Sequence, residues 1–197
     1  RKPGGANVPF RWASLDGAQQ AALGTATTGP VLLNYVRGDR SNEAPAGTKL
    51  RARESVQGDT QHSTLVYWTH PGGEKRLYVG ANDGMLHAFN ATTGAEVFAY
   101  VPSMLISRLP RLAVDPYAHT LFVDGGLVAA DMRAGGTVRT LLAGALGGGG
   151  KGLFLLDVTN PRPADETAAA SAIKWEITPA STGYANLGYT YAAPRLA

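Results

Sequence analysis

The 197-residue chain contains no cysteine, which excludes disulfides and thiolate metal sites from its fold and its chemistry. It has no apolar run near the ~20 residues that a membrane-crossing helix needs. Charged side chains are scarce at 17%, and the formal net charge of +3 comes from scattered Lys and Arg rather than from a basic run. Aromatic residues, at 8%, form no ladder on which bases could stack, so nucleic acid is not an expected partner. The chain does not begin with Met, and residues 1–9 hold no apolar signal core, so any export signal is expected outside it.

Glycine and proline are plentiful instead: 25 Gly and 12 Pro fall between short apolar runs, and 44% of residues are hydrophobic. Together these predict a folded all-β chain in which many tight turns join short strands. The first fifty residues differ in texture from the rest, and residues 1–62 are expected to hold short helices and a connector that lead into the propeller. Ala, Leu and Gln recur over residues 12–23 and an apolar run covers 31–35, which predicts two short helices, the first capped by Asp16 and ended by Gly24. Residues 37–53, charged and broken by Gly and Pro, read as an exposed connector into the sheets. Residues 103–119 and 160–172 read as long loops.

Residues 63–197 carry strand-length runs at 64–68, 77–81, 85–90, 97–101, 121–124, 137–142, 153–157 and 173–177. Asn82-Asp83-Gly84 predicts a tight two-residue hairpin turn, and Thr92-Thr93-Gly94 joins the next pair. Runs such as Leu77-Tyr78-Val79 and Leu153-Phe154-Leu155-Leu156 are apolar without alternation, so both strand faces should be covered. Stacked blades do that, whereas a two-layer sandwich leaves a wet outer face. The order strand, glycine turn, strand, polar turn, strand occurs twice, over 77–101 and 140–177. Two or three blades cannot close a ring of about four to eight. The expectation is a partial, incomplete β-propeller of antiparallel blades preceded by short helices.

The run from Ala88 to Phe98 resembles the docking repeat of quinoprotein-like propellers, with Ala88, Asn90 for the usual Asp, Thr93-Gly94, and Phe98 for the usual Trp. The wider set of words is more specific. Tyr78-Val79-Gly80-Ala81-Asn82-Asp83-Gly84, Phe98-Ala99-Tyr100-Val101-Pro102, Phe122-Val123-Asp124-Gly125 and the glycine run ending at Lys151-Gly152 resemble the C-terminal propeller of the PilY1/PilC family of type IV pilus biogenesis factors and tip adhesins. The resemblance covers roughly residues 30–195. It implies an exported, non-enzymatic surface protein that promotes pilus extension by opposing retraction and supports adhesion and twitching motility. Implied partners are pilins or minor pilins, a host-cell or surface receptor, and the remaining C-terminal part of the propeller. The family binds calcium in an acidic loop of alternating aspartates. No such loop occurs here; residues 157–166, the nearest stretch, carry Pro161 and Pro163 and lack the spacing, so no cofactor is expected in this chain.

The remaining motifs read more simply as structure than as chemistry. The glycine run at 144–152 lacks the first Gly and the final Ser or Thr of a phosphate loop. None of His62, His70, His87 and His119 has metal-ligand spacing, and His87 reads as a ring that holds a blade together. Asp83, Asp124, Asp131 and Asp157 read as turn acids, and no nucleophile elbow is present. Asn82, Asp83, Gly84, Ala88, Asn90, Thr93, Gly94 and Phe98 are the expected blade-forming residues. Arg37-Gly38-Asp39 matches the tripeptide that integrins read on exposed loops and is the candidate receptor-binding site, although an ordinary helix end is the stronger reading of the same residues. The alternatives are a quinone-dependent dehydrogenase propeller, which would need a closed ring, a stacking Trp and calcium, and a periplasmic scaffold propeller.

Overall fold

A computed structural model describes residues 5–45 and 50–197. Two short helices, α1 (Gly17–Leu23) and α2 (Thr28–Val36), precede two four-stranded antiparallel sheets. Asp16 caps α1 by accepting from the Gln19 amide at 2.9 Å, while the Gln19 side chain accepts from the Asp16 amide, a reciprocal capping box. Gly24 ends the helix at φ +140°, where a side chain would meet Thr28.

The first blade comprises β1 (Val66–Thr69), β2 (Lys75–Gly80), β3 (Leu86–Asn90) and β4 (Glu96–Tyr100), paired in sequence order. The second repeats that meander with β5 (Leu127–Ala134), β6 (Thr137–Ala145), β7 (Leu153–Asp157) and β8 (Ile173–Ile177). The two sheets do not close on themselves, as a partial propeller requires. Seven of the eight expected runs are strands. Residues 121–124 are not: they cross between the sheets, and the strand of that blade is β5 just beyond them. A two-residue signal for it lies in Gly135-Gly136, both at positive φ, between the paired ends Ala134 and Thr137.

The repeat extends to the register. Leu86 faces Tyr100 and Ala88 faces Phe98 in the first blade; Leu153 faces Ile177 and Leu155 faces Trp175 in the second. Each outer strand then carries a one-residue bulge, with Val97 extra in β4 and Lys174 extra in β8. The turn residues correspond too. Asn90 accepts from the Thr92 and Thr93 amides, and Asp157 accepts from the Thr159 amide.

One apolar core joins all parts. Tyr78, Leu86, Ala88 and Tyr100 on the first blade meet Leu142, Phe154 and Leu156 on the second, and Leu23, Leu33 and Val36 of the helices reach the same cluster. The bridge is a 3-10 helix, Ser103–Ala113, which buries Leu105, Ile106, Leu109 and Leu112. The two expected long loops thus carry structure of their own: 103–119 holds this helix, and 160–172 holds α3 (Glu166–Ala170). Nor is the connector at 37–53 wholly exposed. Glu43 and Arg53 turn inward, 5% and 7% exposed, joined at 2.7 Å, with the Arg53 guanidinium 3.7 Å from the centre of the Tyr35 ring. A charged stretch can face inward when each charge meets its partner.

Candidate functional site

The polar residues with the most structural consequence gather where the β2–β3 connection meets the segments that lead into each blade. Gly80 pairs with Leu86, and the Ala81 amide donates to the Met85 carbonyl, so this connection is wider than the expected two-residue turn. Gly84 stands at φ +97°, where a Cβ would lie 2.5 Å from Leu109.

Asn82, 2% exposed, is the hub. Its side-chain amide donates to Asp59 at 2.9 Å, its side-chain oxygen accepts from the Phe122 amide at 3.0 Å, and its backbone amide donates to the Asp59 carbonyl. One side chain therefore holds the lead-in to the first blade, its turn, and the lead-in to the second blade. Asp83 accepts from the Gly58 and Met85 amides at 2.8 and 3.0 Å and from His87 at 3.0 Å. Asp124 repeats the arrangement one blade on, accepting from the His62 amide while its own amide donates to the Leu146 carbonyl. Thr190 does the same for the next lead-in, taking the Gly147 amide on its carbonyl and the Leu146 amide on its hydroxyl.

His87 ties β3 to the β2–β3 turn and to β4 through two carboxylates. Its ring lies 2.6 Å from Glu96 and 3.0 Å from Asp83, stacked on Phe89. Burial opposes the charge, yet the two carboxylates outweigh it and lift the imidazole to about 9, so it is a cation at neutral pH. His119 reaches Asp59 at 3.0 Å. His70, 2% exposed, meets the Tyr78 hydroxyl at 2.9 Å, and burial holds it below its ordinary value.

The other residues singled out from the repeat lie in the strands and turns of the first blade. Ala88 is fully buried, the Thr93 hydroxyl accepts from the Ala95 amide, Gly94 turns at φ +75°, and Phe98 is half-buried at a cleft also lined by Asp157 of β7 and Ala168 of α3. Trp175 occupies the position of Phe98 in the second blade, a match visible when the two repeats are aligned with each other. Strand pattern carries no signal for the Arg76 clamp, in which a guanidinium 2% exposed donates to the Pro161 carbonyl of the second blade at 2.8 Å. Glu176 is hidden for the same reason; it accepts from the Tyr100 hydroxyl and the Ser103 amide across the blades.

Arg37, Gly38 and Asp39 form the end of α2. Gly38 turns at φ +108°, Asp39 accepts from the Ser41 amide, and Arg37 donates to Glu166 and to the Phe10 carbonyl. Apart from the Asp83 and Glu96 pair on His87, four acids have separate partners. Asp131 accepts from the Thr140 hydroxyl, Asp157 from Thr159 and Arg139, Asp165 from the Ala168 amide that it caps, and Glu166 from Arg11 and Arg37. The nearest stretch to an acidic loop thus spreads its carboxylates over three different roles, and it does not fit calcium. Among the described residues no group of three acids or histidines is placed to hold a metal.

Fold and network define a class: a propeller segment in which a buried polar network centred on Asn82 joins one blade to the next. The family model described as the PilY1 beta-propeller domain matches residues 52–197, and the chain belongs to that family. It is 38% identical over 205 residues to the type IV pilus biogenesis factor PilY1 homolog of Xylella fastidiosa, over 90% of this chain and 16% of the relative. It is 36% identical over 223 residues to type IV pilus biogenesis factor PilY1 of Pseudomonas aeruginosa strain PAK, over 95% of this chain and 18% of the relative. The crystal structure of the Pseudomonas aeruginosa PilY1 C-terminal domain is similar at 40% identity and a TM-score of 0.43, over 62% of this chain and 21% of that one. The chain spans less than a fifth of the length of these curated relatives.

Proposed function

We propose that the chain is a non-enzymatic part of a type IV pilus biogenesis protein at the bacterial surface, where it works by protein contact. It promotes pilus extension by opposing retraction, and so supports adhesion and twitching motility. The observation that carries this reading is the family match across residues 52–197, which takes in both blades and the network that joins them. A surface role suits the architecture, because a rigid stack of sheets can present loops of varied length to pilins or to a receptor.

The test is genetic. Deleting the parent gene should remove surface pili and twitching, and deleting the retraction motor as well should restore pili without twitching. A strain lacking the gene that still makes normal pili would overturn the proposal.

A further inference from the structure

The outer edge of the first blade borders a groove of about 400 Å³. All six residues 96–101 line it, together with the apolar Met85, Ile106, Leu156 and Ile173 and with residues 8–10, 163–166 and 169–170. Strand β4 pairs only with β3 in its sheet, so its other side is an edge, with alternate backbone N–H and C=O groups facing outward. Among the described residues, the Val97 and Ala99 amides make no hydrogen bond outside the sheet.

Edges are ordinarily guarded by charge, and the second blade follows that rule: its bulged position carries Lys174. The first blade has Val97 at the same position, and from Val97 to Tyr100 its edge is uncharged. The only charge on this edge is at its start. Glu96 uses one carboxylate oxygen on His87, and its side chain remains half exposed.

We propose that this groove takes an extended segment of a partner protein as a fifth, antiparallel strand of the first blade. Backbone pairing along β4 supplies the hold, and alternate apolar side chains enter the groove. A basic residue at the C-terminal end of the segment meets Glu96, because an antiparallel strand ends where β4 begins. The inference rests on edge geometry and charge, and borrows from the pilus reading only the setting in which such a segment would be met.

The probe is a short synthetic peptide alternating valine and threonine and ending in lysine, added to the full chain. Binding should saturate and slow hydrogen exchange at residues 96–101. Methylating alternate peptide nitrogens should abolish it, and Ala99→Lys, at an exposed position of the edge, should weaken it about tenfold or more. Protection absent from β4, or equal binding by the methylated peptide, would overturn the proposal. No pilus enters this assay, so its failure leaves the pilus reading standing, and normal pili in the deletion strain leave the edge result untouched.

Discussion

One position of the repeat is filled in opposite ways by the two blades. His87 faces Ala99 in the first blade, and Phe154 faces Glu176 in the second. The registers make these the same site, yet one is a cation held by two carboxylates and the other is a fully buried ring set edge-on to Tyr100 at 5.3 Å. The difference follows from what each face meets. Phe154 lies in the seam between the blades, where removing apolar area from water is the main source of stability. His87 lies on the opposite face of its sheet, beside the half-exposed Glu96, where a paired charge is tolerated. A repeat therefore constrains backbone and register, while the side chain at each position answers to its neighbour.

The sharpest way to break the comparison is to empty the seam. Phe154→Ala should cost about 3–5 kcal/mol, because the ring fills space that its neighbours cannot close. Gly144 has no side chain against it, and a Cβ there would overlap the ring. Urea denaturation of the full chain reads the loss. A cost near 1 kcal/mol would mean that the seam collapses freely.

The corresponding position in the first blade should respond to pH instead. His87 titrates near 9 in the fold against 6.5 when free, so its contribution is fully present below about 6.5 and is lost as pH rises through about 9. The loss should come to about 3 kcal/mol. His87→Phe should flatten the alkaline limb of the stability curve and so make the first blade behave as the second does. A wild-type curve level from pH 6.5 to 10 would show that the two sites differ in shape alone.

Those two side chains also mark how far sequence reading reaches. Alternation, glycine turns and the repeated order are enough for seven of the eight strands, because each is a local property of the chain. The strand at 127–134 is masked by the neighbouring apolar word at 121–124, whose amides instead bond Asn82, Ala81 and Leu146. Arg76, Glu176 and the inward Glu43–Arg53 pair are not legible, since their partners are set by how sheets and connectors meet. Asn82 is legible as a turn residue, but its reach to Phe122 is not.

That reach sets the third comparison. Asn82 bonds both lead-in segments through a side chain, whereas in the second blade the backbone of a glycine run does the same work, with Gly149 so close to Phe122 that a Cβ would overlap its carbonyl oxygen. Asn82→Ala leaves the buried Phe122 amide without its acceptor and should cost about 1–3 kcal/mol. Hydrogen exchange at Phe122 should quicken before exchange in β6 or β7 changes. Uniform quickening through both sheets would mean that the hub acts on the whole fold.

The smallest effect belongs to the ion pairs that tie the helices to the second blade. Arg37 donates to Glu166 at 2.8 Å, and the carboxylate side chain is 43% exposed, so water and salt screen the attraction. Arg37→Ala should therefore change stability by less than about 1 kcal/mol, and the change should shrink in high salt. The helices are held chiefly by Leu23, Leu33 and Val36 in the shared core. A larger, salt-insensitive loss would show that Arg37 supports the helices through packing of its stem, making the end of α2 as integral to the core as the blade seam.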